Sequence, residues 1–145
     1  MAAHPPAFAI KAEIHELDAA AYAFPRQKTM YGGKHIRAGD MLFLFASENE
    51  GGHGLFARGI VTQSTAEPRR NPEGPETPRV SIAVSNLAFA QAPLGRAELR
   101  TFTDWDDGRP ESELNFKFYR QATNKIVGIS EGVAAFLTGF FPASA

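Results

Sequence analysis

The chain has 145 residues, 43% of them hydrophobic and twelve of them Phe, enough for one ordinary domain with a real core. It has no cysteine and a net charge of −1, which excludes disulfide scaffolds, zinc ribbons, thiol catalysis and broadly basic, histone-like binders. No apolar run reaches the ~18 residues of a membrane span, and the N-terminal MAAHPPAFAIKAE lacks the basic and long apolar regions of a signal peptide. Together with the missing cysteines, this fits a cytoplasmic protein.

In chain order, AFAIKAEI (7–14) alternates, with Phe8, Ile10 and Ile14 opposite Ala9, Lys11 and Glu13, and predicts a first strand. ELDAAAYAF (16–24) reads as a short Ala-rich helix that Asp18 can cap and Pro25 follows. FPRQKTMYGGKHIRAGD reads as a loop, with Gly32-Gly33 and Gly39-Asp40 as turn signals. MLFLFAS (41–47) is continuously apolar, which suits a strand covered on both faces. ENEGGHG supplies a turn and LFARGIVTQS (55–64) the returning strand, in which Gly59 marks a bulge or a close backbone approach.

The segment 65–78 holds four of the ten prolines and no large apolar residue, and reads as an exposed, mobile connection. RVSIAVSNLAFA (79–90) alternates as a strand with one buried face. PLGRAELRTF (93–102) suits a short helix with Pro93 in its first turn. LNFKFYR (114–120) reads as a strand, with Leu114, Phe116 and Phe118 inward and Asn115, Lys117 and Tyr119 outward. KIVGIS is another short strand. The closing SEGVAAFLTGFFP is a helix capped by Ser130, with Glu131 at its positive end and an apolar stripe of Val133, Phe136, Leu137 and Phe140. The fold expected is α+β and mainly β: about six strands curled into a small mixed barrel with two or three flanking short helices, in one domain over residues 1–145.

Chemistry is sparse. His4, His15, His35 and His53 share no metal-ligand spacing, so no metal is expected. No GxSxG, P-loop or dinucleotide fingerprint occurs, and no cofactor is expected. Asp40 follows Gly39 at the entry to a buried strand, where its carboxylate is placed to accept backbone N–H groups and hold the turn. Charge falls in islands. Residues 26–37 carry Arg26, Lys28, Lys34, His35 and Arg37 without an acid, and residues 117–125 carry Lys117, Arg120 and Lys125 without an acid. Residues 104–113 hold Asp104, Asp106, Asp107, Glu111 and Glu113 against Arg109. These islands make either a local positive cleft on a neutral protein or three ordinary solvated loops. Lys28, Tyr31, Lys34, Trp105, Lys117, Tyr119 and Arg120 mix cations with rings, the chemistry that holds single-stranded nucleic acid. Tyr119 and Trp105 equally suit the edges of a core.

HIRAGDMLFLFAS followed by GLFARGIV resembles the central hairpin of the PUA-like superfamily, in particular its ASCH and EVE branches. Gly39, Asp40, Phe43, Phe45, Ser47, Gly54, Gly59 and Val61 carry the resemblance, and LNFKFYRQATNKIVGIS is similar to the segment before the last helix of EVE-like domains. The resemblance implies a small curled barrel and a cleft for RNA or DNA, in some members for a modified base. On this chain the cleft it implies draws on Arg26, Gln27, Lys28, Thr29 and Tyr31, on Ser47, and on Lys117, Tyr119, Arg120 and Gln121. Lys28 and Arg120 would meet phosphate, Tyr31 or Tyr119 would stack, and Ser47, Gln27 and Gln121 would read base edges. A non-catalytic nucleic-acid-binding module is the leading expectation. The alternatives are a small ASCH-type hydrolase of modified nucleosides or RNA, with Thr29 activated by Lys28, and an interaction domain that uses the 65–78 connection.

Overall fold

The computed structural model describes residues 4–68, 73–74, 78–121 and 123–142. Among them, seven strands form one sheet in the order β2-β6-β5-β4-β1-β7-β3. The strands are β1 (Ala7–Ala12), β2 (Tyr22–Gln27), β3 (Thr29–Met30), β4 (Met41–Ala46), β5 (Gly54–Glu67), β6 (Arg79–Phe89) and β7 (Lys125–Ile129). The two edge strands, β2 and β3, are consecutive in the chain and separated only by Lys28. One residue thus carries the backbone from one edge of the sheet to the other, and the sheet curls into a nearly closed barrel with its seam at Lys28. Across the seam, Gln27 pairs with Val80 of β6 and Thr29 with Ile126 of β7.

β1 lies between β4, which it pairs in parallel, and β7, which it pairs antiparallel. Its alternate residues enter two different cores. Phe8 and Ile10 join Leu42, Leu44, Val61, Val84 and Ile126 inside the barrel. Ala7 and Ala9 join Phe43, Phe45, Val127 and Ile129 on the outer face, which is covered by Leu99, Leu114, Phe118, Val133 and Leu137 from the helical segments. Burial on both faces explains the unbroken apolar runs of β4 and β7.

The helical cover consists of α1 (Arg96–Leu99), α2 (Pro110–Leu114) continued by a π-helical turn over Asn115–Tyr119, and α3 (Glu131–Thr138). The Ser130 Oγ caps α3 by accepting the Val133 N–H at 3.2 Å and donates to Glu113 Oε1 at 2.6 Å, which ties α3 to α2. Asp40 holds its turn as expected, its carboxylate accepting the Arg37 N–H at 2.8 Å. At Gly59 the register shifts, and a Cβ would run into Val84 and Leu87 of the facing strand.

Three expectations change. Residues 114–120 are helical, not a strand: Leu114 and Phe118, four apart, face the core, Asn115 is buried with them, and Phe116 is half-exposed. The segment satisfies both a two-residue and a four-residue period, and the cover needed over the outer face selects the helix. The helix expected over 16–24 does not form: residues 16–21 are turn, bend and irregular chain, and 22–27 and 29–30, the latter expected in a loop, are the two edge strands. An edge strand needs little apolar alternation and tolerates Pro25. β5 continues to Glu67, so the connection after it starts three residues later than expected. Of the Pro-rich connection expected to be mobile, residues 69–72 and 75–77 lie outside the described residues.

Gly33 sits against β7 so closely that a Cβ would collide with the Ile126 carbonyl. Gly33→Ala should therefore destabilise the fold by about 1–3 kcal/mol. Gly132→Ala, in α3 with only the Ser130 Oγ near its added methyl, should stabilise by up to about 1 kcal/mol. Urea denaturation of both variants checks this, and effects of the same sign would refute the packing argument.

Candidate nucleic-acid interface

The two basic islands meet on β7. The Lys28 carbonyl accepts the Ile126 N–H at 2.8 Å and the Tyr31 carbonyl accepts the Gly128 N–H at 3.1 Å, so the 28–31 segment is laced along this strand. From the other side, Arg120 Nη2 donates to the Tyr31 hydroxyl at 3.2 Å. Arg26 and Tyr31 both hold a left-handed backbone, with φ of 53° and 54°, which is uncommon for such side chains. The strain falls where the chain crosses the seam.

Two lysines lie buried beside this junction. Lys11 and Lys125 are cross-strand partners on β1 and β7, 1% and 2% exposed. Both occupy the outer-face row of Ala9 and Val127, beyond the last apolar pair. Among the described residues, no carboxylate lies within ion-pair distance of either. Lys11 has a structural task. Its Nζ donates to the Phe118 carbonyl at 2.6 Å, completing the open C-terminal end of the π-helical turn, and lies 4.9 Å from the Tyr119 ring centroid. Burial lowers its pKa, partly opposed by the Glu48 carboxylate. Among the described residues, Lys125 has no comparable partner: its Nζ reaches the Thr123 carbonyl at 3.4 Å and lies 6.0 Å from the Phe118 ring centroid. Burial first, then the positive charges of Lys11, Arg120 and Lys28, lower its pKa to about 8. On the same strand face, Ser47 is buried at the end of β4, and its Oγ has no hydrogen-bond partner among the described residues.

The other expected site residues divide. Arg26 is exposed, pairs with Glu67 at 3.5 Å and, with Gln27 and Lys28, lines an open cleft of about 770 Å³ beside the seam. Glu13, His15 and Asn124 line its other walls. Gln27 turns its amide back to the Pro25 carbonyl at 2.7 Å. Thr29 is buried and its hydroxyl donates to the Pro78 carbonyl at 2.8 Å, so it stitches the seam. Lys117 is committed to Glu113 at 3.0 Å and to the Gly128 carbonyl at 2.6 Å. The Tyr119 hydroxyl is held by the Glu48 carboxylate at 3.1 Å, and burial followed by the Glu48 charge raises its pKa. Gln121 is exposed.

Lys28, Arg120, Tyr119 and Ser47 are thus gathered around one end of β1 and β7, and Lys11 and Lys125 join them there. The sequence sets Lys11 opposite Phe8, Ile10 and Ile14 and gives it no place in the expected site. The signal that could have found it is a lone lysine inside an otherwise apolar strand, AFAIKA.

Between pH 8 and 10.5 the unfolded chain holds more protons on Lys125 than the folded chain does. Stability should therefore rise with pH across that window. Lys125→Met should raise stability at pH 7 by about 1–3 kcal/mol, as when buried charge gives way to apolar volume, and should flatten that rise. Denaturant titrations from pH 7 to 10.5 check this, and a loss of stability in the variant would show that the lysine is paired.

No family model and no curated protein sequence matches the chain. A solved structure does: the crystal structure of the DUF55 domain of human thymocyte nuclear protein 1. The TM-score is 0.60 at 12% sequence identity, over 92% of this chain and 96% of that one. That domain is PUA-like, of the EVE type. The small mixed barrel with flanking helices described above is accordingly a PUA-like fold.

Proposed function

We propose that the protein is a nucleic-acid-binding module for RNA or single-stranded DNA, and that it seats one nucleotide at the end of β1 and β7. The observation that carries this is the buried Lys125, ringed by Lys11, Lys28 and Arg120, with no carboxylate at ion-pair distance among the described residues. A buried ammonium in such company is costly unless an anion meets it. Phosphate is the anion that the exposed Lys28 and Arg120 would deliver. The Ser47 hydroxyl, without a hydrogen-bond partner among the described residues, supplies a donor and an acceptor for a base or sugar edge. The PUA-like fold supports this reading by analogy. A modified base is the finer form of the same proposal.

The hydrolase alternative has less support. It needs a free Thr29 hydroxyl beside Lys28, and that hydroxyl is bound to the Pro78 carbonyl on a buried side chain. Among the described residues, no acid or histidine is hydrogen-bonded to that hydroxyl.

The test is a titration against short single-stranded and duplex RNA and DNA, with and without modified bases, at two salt concentrations. Affinity should fall with salt, and Lys28→Ala or Arg120→Ala should each reduce the salt slope by about 1 and the affinity roughly tenfold. Affinity should also weaken above pH 8, where free Lys125 loses its proton. No binding to any of these at about 100 μM, or binding indifferent to salt, would overturn the reading.

A further inference from the structure

Beside the seam, three rings stand in one row. The Tyr31 and Phe116 centroids are 5.6 Å apart, and those of Phe116 and Trp105 are 5.3 Å apart. The Arg120 guanidinium lies over this row, 4.3 Å from the Phe116 centroid and 5.8 Å from that of Trp105, besides its hydrogen bond to Tyr31. Trp105 is 44% exposed. Its position is nevertheless fixed: the indole Nε1–H donates to Asn115 Oδ1 at 2.9 Å, and the buried Asn115 amide donates to the Leu99 carbonyl at 2.8 Å. A depression of about 350 Å³ lies against the Trp105 and Phe116 rings.

The held, half-exposed indole stands outside the outer-face core of Leu99, Leu114, Phe118 and their neighbours and is not among the residues packed against it. Charge decides what would cover it. Arg120 sits over the rings and also acts on Lys125, so the cation that serves the row faces the candidate nucleotide seat. A cationic partner side chain would meet Arg120 and Arg109 at this place. The fitting ligand is flat, aromatic and attached to an anion. Asp106, Arg109 and Glu113 also line the depression, and Glu113 is paired with Lys117, so the acidic lining directs a phosphate to Arg120, outside it.

We propose that Trp105, Phe116 and Arg120 form a stacking platform for a second, unpaired base of a single-stranded nucleic acid, with the intervening phosphate on Arg120. The proposal rests on the nucleic-acid reading above and extends it from one nucleotide to a short strand. It also implies preference for single strands, because a paired base keeps its faces inside the duplex.

Trp105 is the sole tryptophan of the chain, so its fluorescence reports this place alone. The protein is titrated with a nucleoside monophosphate, with single-stranded di- to hexanucleotides, and with a duplex of the same sequence. Oligonucleotides should quench the tryptophan and the monophosphate should not. Trp105→Ala should weaken oligonucleotide binding about five- to a hundredfold, the range of one base–aromatic stack, and leave monophosphate binding unchanged. Trp105→Phe, which keeps a ring, should recover part of the loss. Circular dichroism and thermal melting confirm that both variants fold. Salt-sensitive oligonucleotide binding that depends on Lys28, with unchanged Trp105 emission and no effect of Trp105→Ala, would overturn the platform while sparing the binding module. No binding of any oligonucleotide would overturn both.

Discussion

The single-residue crossing at Lys28 is the constraint on which the rest of the structure depends. β2 and β3 are opposite edges of the sheet, yet the chain passes between them in one step. That step is possible only if the edges already lie side by side, so it forces the sheet to curl until they meet. It also explains the left-handed backbone at Arg26 and Tyr31, which flank the crossing, and the Thr29 hydroxyl bond to Pro78 that spans the seam. A closed barrel leaves few exposed strand edges. Here the remaining gap is where the basic residues collect.

Closure has an electrostatic consequence. β1 is central and must be buried on both faces, so a lysine on it cannot reach water by alternation alone. Lys11 is accommodated because the π-helical turn ends above it and offers the Phe118 carbonyl. The turn ends there with a wide bond from the Arg120 N–H to the Asn115 carbonyl, at 2.9 Å, which leaves the later carbonyls open. Lys125, its cross-strand neighbour, receives no such carbonyl at good distance. The contrast between these two lysines separates a residue that holds the fold from one whose charge the fold leaves unanswered.

Much of the fold was legible in the sequence. The hairpin of β4 and β5 announced itself by a continuous apolar run, a Gly-rich turn and Gly59, and the α3 cap by Ser130 followed by Glu131. Each is a local signal with a local cause. The errors have causes beyond the local chain. LNFKFYR fits a strand or a helix equally well, and only the uncovered outer face of β1, β4 and β7 decides between them. β2 is an edge strand containing Pro25 and a left-handed Arg26, so neither alternation nor turn chemistry marks it. Of the candidate site, the basic loop and Arg120 were visible as charge islands. Lys11 was not, because its burial depends on the helical layer that the same misreading removed.

The net charge is −1, yet two carboxylates of the acidic island are committed within the helical cover. Glu113 accepts the Ser130 N–H and Oγ–H and pairs with Lys117. Burial would raise its pKa, yet these bonds outweigh burial and lower it. Asp107 accepts the Arg109 N–H and the Ser112 hydroxyl at the start of α2, and its pKa is lowered mainly by the former. These two acids fasten α2 to its own entry loop and to α3, and Glu113 takes Lys117 out of the free positive charge. What remains at the seam is Lys28, Arg120 and Lys125, without a carboxylate at ion-pair distance among the described residues. A nearly neutral protein thereby keeps three cations at one end of its barrel outside any ion pair of the described residues, while Asp107 and Glu113 hold the helices that cover the other core.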